Sequence, residues 1–227
     1  MLKINQSNVK VLNSKFNKFT QQTVSNNRPN IQYMCSQLQR YEKQYKKFNA
    51  IELYCVKALD FAQKLEVVGL TDFAGVIYSG LIKIPNISKE AKETMILSGL
   101  KNAQRNNDSI HFLARLVDLK YLYKNENKKK YINILLEEEK CLTSIVNNYQ
   151  QKASNFRTVG KDVNLQEKYK FRLAVSKVDL GKAFLRSNSD TALTKLQEAE
   201  TIFIALGKAK EANFANQLIS QISARRA

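Results

Sequence analysis

Apolar residues recur every three or four positions through most of the chain, which is the spacing that places them on one face of an α-helix. Near the end of the chain, for example, Ala212, Ala215, Leu218 and Ile222 follow this spacing. Breaks in the pattern, such as the one at Pro29, predict helix pairs that start near residues 31, 71, 109 and 165. With only two prolines and seven glycines in 227 residues, the sequence predicts an all-α protein.

One stretch, from Leu180 to Gly207, has the most informative spacing. Its three small residues let two helix backbones approach closely, and two larger residues fill the space beside them; these are Gly181, Ala192 and Ala199, with Phe184 and Leu196. Ser187 together with Asp190, or Asp190 alone, is expected to cap the second helix. Gly207 suits the left-handed position after a helix end. The stretch is therefore interpreted as a tightly packed helical hairpin.

Two further segments repeat this small-large-small spacing. They are Cys55, Leu59 and Ala62 in one helix, and Gly75, Tyr78, Ala91, Met95 and Ser98 in the hairpin over residues 71–105. The arrangement resembles the tetratricopeptide repeat (TPR), a pair of antiparallel helices that stacks on copies of itself. The resemblance implies a right-handed solenoid that binds extended peptides or helices in a concave groove lined by the first helix of each pair. The helix of residues 128–149 departs from the pattern, because Cys141 is its nearest small residue and comes late.

The resemblance and the breaks together predict four parts. They are a basic N-terminal segment (1–29), three helical repeats (30–150), a linker (151–163) and a fourth repeat with a capping helix (164–227). The linker has no apolar period, and the Asn164 to Glu167 stretch that follows has the pattern of a capping box. The capping helix is expected to cover the apolar end that stacked repeats expose.

The N-terminal segment contains no acidic residue. Its apolar residues follow helical spacing with lysines between them: Val9, Leu12, Phe16 and Phe19, with Lys10, Lys15 and Lys18. This is typical of a basic amphipathic helix on a membrane surface or in a partner groove, and an organelle-targeting segment has similar traits. The remaining alternative is a tail that is disordered or packs on the first hairpin.

Charge is the most unusual feature of the composition. The chain has 37 basic and 20 acidic residues, a formal net charge of +17, which attracts anionic partners but also simply favours solubility. The sequence has no run of 18 apolar residues, so we expect no membrane-spanning helix. We also expect no hydrophobic signal sequence. The three cysteines have no CxxC spacing, so they predict core positions in a reducing compartment, and we expect the cytoplasm.

Catalytic and metal chemistry finds little support in the residues. The sequence contains no P-loop, dinucleotide fingerprint, GxSxG or HExxH motif. The single histidine, His111, has no recognisable nucleophile beside it. Three consecutive glutamates, Glu137 to Glu139, splay around a helix and are expected to form a solvated face. We therefore expect no enzyme, no metal and no cofactor.

Basic residues on the helix after Asn164 are the strongest surface signal. At 100° per residue, one narrow stripe contains Lys168, Arg172, Lys182 and Arg186. The stripe suits phosphates or an acidic peptide, and the alternative is a plain exterior face. A second basic cluster, Lys128 to Lys130, opens another helix, where cations oppose the helix dipole.

The TPR resemblance adds three more candidates for partner binding. Arg115, Lys120 and Lys177 lie on helices that correspond to the groove-lining helix of a repeat. Some TPR proteins hold a terminal carboxylate with lysine, asparagine and arginine on those helices. The asparagines of that clamp have no recognisable equivalents here, so the clamp is not carried over.

Two functions follow from these observations. The first is a non-enzymatic adaptor or scaffold that binds a peptide or protein through its helical-repeat groove. The alternative is an RNA- or DNA-binding helical repeat that uses the basic stripe, with base-stacking aromatics beside it. Tyr169 is adjacent to the stripe, and Tyr121, Tyr123 and Tyr131 flank the lysine cluster. Neither reading predicts an oligomeric state.

Overall fold

The computed structural model describes residues 6–26, 29–85, 87–155 and 161–224, with side chains described outside 152–155 and 161–163. Within these residues there are ten helices and no strand. The helices are α1 (Gln6–Val24), α2 (Ile31–Lys47), α3 (Ile51–Val67), α4 (Thr71–Leu81), α5 (Lys89–Arg105), α6 (Ser109–Tyr123), α7 (Lys128–Asn155), α8 (Lys161–Phe184), α9 (Ser189–Ala205) and α10 (Ala209–Ala224). Consecutive helices pack against each other in α1 to α5 and again in α7 to α10. This confirms the predicted all-α, helical-repeat-like fold of antiparallel hairpins.

The chain divides into two compact units, Met1–His111 and Phe112–Ala227. This division differs from the one expected at a linker over 151–163. In the structure, α7 continues to Asn155 and α8 already begins at Lys161, and these two helices pack against each other. Residues 156–160, the centre of the expected linker, lie outside the described residues.

The N-terminal segment contributes to the core of the first unit. Helix α1 packs on α2 and α3, and the four residues of the predicted apolar face, Val9, Leu12, Phe16 and Phe19, are all buried. The ring of Phe16 packs edge-on against four other aromatic rings at centroid distances of 5.0 to 6.5 Å: Tyr41, Tyr45, Tyr54 and Phe61. Of the sequence alternatives, the structure therefore has the segment packed on the first hairpin rather than disordered, and the apolar face of α1 is occupied.

Small residues bring helices together in both units, as their spacing predicted. In the first unit, Ala62 of the predicted spacing is fully buried, as are Ala58 and Ala74, which the spacing did not include, and α3 packs against α4. In the second, a Cβ placed on Gly181 of α8 would lie only 2.6 Å from Cγ of Leu196 on α9. Ala192 and Ala199 on α9 are likewise fully buried. The close approach of α8 and α9 thus depends on the absence of a side chain at Gly181.

Helix ends agree with the sequence in part. Gly69 and Gly207 have positive φ after α3 and α9, and Ser88 caps α5 by accepting a hydrogen bond from the Ala91 N–H. The cap of α9 differs from the expectation: Asn188, rather than Ser187 or Asp190, accepts from the Thr191 N–H at 3.0 Å. The predicted capping box that starts at Asn164 lies inside α8, because that helix begins at Lys161.

Candidate partner-binding surfaces

A groove in the second unit is the best-formed candidate site near the predicted stripe. It lies along the first half of α8 and is closed by the turn that joins α9 to α10. Its volume is about 520 Å³, and we call it the α8–α10 groove. It is lined by Asn164, Glu167, Lys168, Phe171, Arg172, Leu206, Lys208 and Glu211.

The turn after α9 brings distant residues to this groove. Gly207, with φ of +66°, reverses the chain, and the Lys208 N–H donates to the carbonyl of Phe203 at 2.8 Å. This places Leu206 and Lys208 beside α8. Sequence reasoning identified Gly207 as a helix end but missed Lys208, although the residue after a left-handed glycine is a natural place to look.

The groove combines both charges with an apolar floor. Lys168, Arg172 and Lys208 supply three cations, while two carboxylates, Glu167 and Glu211, stand in the same lining. The half-buried ring of Phe171 packs edge-on against Phe203 at a centroid distance of 5.7 Å. Such a mixture suits a partner that carries carboxylates and apolar groups together, as a polypeptide does.

Arg172 has its own support within the unit. Its guanidinium carbon lies 5.9 Å from the centroid of the Tyr169 ring, within the range of a cation–π interaction. Tyr169 in turn stacks on Tyr149 at 5.8 Å and 16°. Tyr169 is only 7% exposed, and burial raises the pKa of its hydroxyl. The ring of Tyr169 is therefore buried in the second unit and does not offer an exposed face on which a nucleobase could stack.

The other two stripe residues lie away from the groove. The Lys182 ammonium is 4.6 Å from the ring centroid of Phe214 on α10. Arg186 is exposed beyond the end of α8. The structure thus brings Lys168 and Arg172 together and leaves Lys182 and Arg186 outside the site they define.

Arg115 and Lys120, two of the candidates implied by the TPR resemblance, have partners within the protein. The Lys120 ammonium donates to both carboxylate oxygens of Glu138 at 2.8 and 3.1 Å, and it lies 3.6 Å from Asp179. Arg115 pairs with Asp118 on the same helix at 3.2 Å. With side chains only 13% and 11% exposed, Lys120 and Arg115 are largely buried beside their charge partners in the second unit.

Lys177, the third of these candidates, joins three helices. Its ammonium donates to Glu139 of α7 and Glu198 of α9, and Lys195 donates to the same oxygen of Glu139 at 2.8 Å. Burial alone would lower the pKa of Lys177, but the hydrogen bonds to both carboxylates outweigh it and raise that pKa. Burial alone would raise the pKa of Glu198, but the hydrogen bonds and charges of Lys177 and Lys195 outweigh it and lower that pKa. These four residues form an ion cluster that joins α7, α8 and α9, with Glu198 at its exposed edge.

The glutamate run is also internal in part, contrary to the expected solvated face. Glu137 is exposed, but Glu138 is only 3% exposed and also accepts a hydrogen bond from the Ser176 hydroxyl at 3.4 Å. The side chain of Glu139 is 12% exposed. Facing lysines on neighbouring helices allow these carboxylates to be buried.

The lysine cluster at the start of α7 is exposed and has one aromatic contact. Lys130 donates to the Tyr123 hydroxyl at 3.0 Å and lies 4.6 Å from its ring centroid. Tyr123 is buried, Tyr131 is half-buried, and only Tyr121, at 72% exposure, presents its ring to solvent. The cluster therefore offers little of the aromatic surface expected beside it.

Within the described residues, no three of the His, Cys, Asp and Glu side chains are placed to hold a metal ion. His111 is exposed next to Asp108, whose carboxylate caps α6 by accepting from the Ile110 and His111 N–H groups at 3.1 and 3.0 Å. No helix in the described parts of the chain has the length and apolar character needed to cross a membrane.

No family model matches the sequence, and no curated protein matches it. Among solved structures, the chain is similar to a circular tandem repeat protein with novel repeat topology and enhanced subunit contact surfaces. The sequence identity is 13% and the TM-score is 0.29, over 83% of this chain and 51% of the other. This chain thus spans about half the length of that protein.

Proposed function

We propose that this protein is a non-enzymatic, TPR-like adaptor that binds a segment of another protein in the α8–α10 groove. One observation supports this most directly: the groove gathers three cations and two carboxylates around Phe171 and Leu206. A peptide with an acidic residue next to an apolar residue would satisfy both the cations and the apolar floor. Helices α8 and α10, which precede and follow α9, provide the walls of the groove. Helical repeats generally present binding surfaces formed by successive helices in this way.

Nucleic acid is a less suitable partner for this groove. Glu167 and Glu211 would repel a phosphate backbone at the positions where Lys168 and Lys208 would attract it. The nearest aromatic candidate for base stacking, Tyr169, is buried against Tyr149. We also propose a reducing compartment such as the cytoplasm, since Cys35 and Cys55 are free thiols.

The proposal can be tested by selecting peptides on the full-length protein from a random peptide display library. We expect enriched sequences to place Asp or Glu within a few residues of an aromatic or aliphatic residue. A synthetic peptide of the enriched sequence is then titrated against the wild type and against Lys168→Glu, a change at an exposed residue that lines the groove. The affinity should fall at least about tenfold, because an attraction becomes a repulsion.

The matched control is Lys140→Glu, which makes the same change of charge at an exposed position on α7 outside the groove. Its affinity should stay within about twofold of the wild type if the effect is local rather than a consequence of net charge. Equal losses in both variants, or a selection that enriches no sequence, would contradict the proposed site.

A further inference from the structure

A second groove, in the first unit, runs between the exposed faces of α1 and α2. Its volume is about 280 Å³, and we call it the α1–α2 groove. Helix α1 contributes Lys15, Lys18 and Gln22 to one wall. Their spacing of three and four residues places them in a single row on the helix surface. The buried ring of Phe19 forms part of the floor.

The opposite wall is a row of polar and aromatic residues on α2. It consists of Tyr33, Gln37, Arg40, Tyr41 and Gln44. From the first to the last of these, the row extends about 17 Å along the helix axis at 1.5 Å per residue. The groove is therefore long and shallow, a shape that suits an extended chain better than a compact small molecule.

The electrostatics of this groove differ from those of the α8–α10 groove. Three cations line it, Lys15, Lys18 and Arg40, and no carboxylate does. Within the described residues, none of these three takes part in a salt bridge. The nearby Glu42 lines a separate cavity beside the α2–α3 turn. The cations are thus exposed, uncompensated and arranged along both walls, so a polyanion is the complementary partner.

An aromatic surface lies among these cations. The ring of Tyr33 is 58% exposed, and its inner edge rests against Phe19 at a centroid distance of 6.5 Å. Phe19 also contacts Tyr41 at 5.6 Å, so the exposed ring is supported by a buried aromatic cluster. A supported, solvent-facing tyrosine is a suitable platform for a nucleobase.

We infer that the α1–α2 groove binds single-stranded nucleic acid. Lys15, Lys18 and Arg40 contact phosphates, and Tyr33 stacks on a base. Gln37 and its neighbours in the row offer amide groups that can hydrogen-bond to base edges exposed in a single strand. This site lies in a different unit from the proposed peptide groove and does not depend on it.

Two other anionic partners fit the observations less well. An acidic peptide would satisfy the cations but has no need of the exposed ring of Tyr33. A membrane surface would require an apolar face beside the cations, yet the apolar face of α1, including Leu12 and Phe16, is buried in the first unit, and Val11 is the exposed exception on that helix. Single-stranded nucleic acid uses both the charge and the ring.

The test is fluorescence anisotropy of a labelled, mixed-sequence RNA of about 12 nucleotides, a length within the usual range for single-strand binding sites. Three phosphate contacts predict that the logarithm of the association constant falls with the logarithm of salt concentration with a slope of about −2. Tyr33→Ala should weaken binding about 5- to 150-fold, as expected for loss of one stacked base. Lys15→Ala should reduce the salt slope by about 0.7.

Two variants provide matched controls. Tyr121→Ala removes an exposed tyrosine of the second unit, and Lys43→Ala removes an exposed lysine of α2 that does not line the groove. Both should bind RNA as the wild type does. Circular dichroism should show that the Tyr33→Ala and Lys15→Ala proteins remain helical. A loss of binding can then be separated from a loss of fold.

Several outcomes would overturn the inference. They are no RNA binding at low salt, binding that Tyr33→Ala leaves unchanged, and equal losses in the control variants. A poly-glutamate peptide that binds as tightly as the RNA would assign the groove to acidic proteins instead. Vesicles containing phosphatidylserine that bind the wild type and release the Lys15→Ala variant would assign it to membrane lipid.

Discussion

Gly181 on α8 packs so closely against Leu196 on α9 that a Cβ at residue 181 would lie 2.6 Å from Cγ and 2.9 Å from Cδ2 of the leucine. The Ala192 carbonyl oxygen, 3.3 Å away, limits movement in another direction. Cγ is a branch point near the backbone, and Leu196 is fully buried. Neither neighbour can therefore give way without shifting a helix.

Gly181→Ala should consequently destabilise the second unit. Overpacking of this kind costs roughly 1–3 kcal/mol, whereas alanine regains up to about 1 kcal/mol of helix propensity. We expect the free energy of unfolding in urea to fall by about 0.5–2 kcal/mol. The control is Gly80→Ala in α4, where a Cβ meets nothing within 4 Å, so only the gain in propensity should appear. A Gly181→Ala protein as stable as Gly80→Ala would show that α8 and α9 are not held this closely.

Lys177→Met should also destabilise the protein, because it leaves the largely buried Glu139 and the partly exposed Glu198 with fewer donors. The side chains of Lys177 and Glu139 are each 12% exposed, and losing charge-assisted hydrogen bonds there costs about 1.5–3 kcal/mol. Urea unfolding provides the measurement. The Lys64→Met control breaks the Lys64–Asp60 pair, in which both side chains are 59% exposed, and should cost less than about 1 kcal/mol.

The same cluster predicts how stability depends on pH. Glu198 has a lowered pKa, so its contribution is complete above the ordinary glutamate value of about 4.5 and is lost as pH falls below it. Lys177 has a raised pKa, so its contribution is complete below the ordinary lysine value of about 10.5 and is lost as pH rises above it.

Wild-type stability, measured as the melting temperature from pH 3 to 11, should therefore exceed that of Lys177→Met by its largest margin between about pH 5 and 10. The margin should narrow at both ends of the range. Parallel curves for the two proteins, with no narrowing, would mean that Lys177 and Glu198 do not interact as the structure places them.

Local spacing predicted the hairpin well because small residues report directly on how closely two helices approach. Gly181, Ala192 and Ala199 were identified from sequence, and all three are buried, with Gly181 against Leu196 and Ala192 of α9. Gly207 was recognised as a helix end, since few other residues tolerate its positive φ. Such features depend on residues that are close in the sequence, so the sequence alone can predict them.

Charged residues were harder to place because their surroundings depend on distant helices. Periodicity puts Lys177 on a polar side of α8, but it cannot distinguish water from Glu139, which is 38 residues earlier and faces it across the α7–α8 contact. The buried Glu138 was missed for the same reason. Helix α1 presents a similar ambiguity: an amphipathic pattern looks the same whether its apolar face meets a membrane or a protein core.

The N-terminal cap of α9 could not be assigned from sequence alone, because three residues near the start of the helix are all of types that cap well: Ser187, Asn188 and Asp190. Only the Asn188 side chain accepts the Thr191 N–H, at 3.0 Å, and Asn188 has the extended backbone of a cap, with φ −156° and ψ 90°. Asn188→Ala should therefore lower the free energy of unfolding by about 1 kcal/mol. Asn188→Ser should restore most of it.

The matched control is Ser187→Ala, at the position that the sequence favoured for this role. Ser187 is exposed and its backbone N–H donates to the Phe184 carbonyl at 2.9 Å, a bond that alanine keeps. Its loss of stability in urea should stay below about 0.5 kcal/mol, as for an ordinary surface substitution. If Ser187→Ala proved the costlier change, α9 would begin one residue earlier. That shift would move the capping position by about 100° around the helix axis, and Asn188 would then be the first residue of the helix rather than its cap.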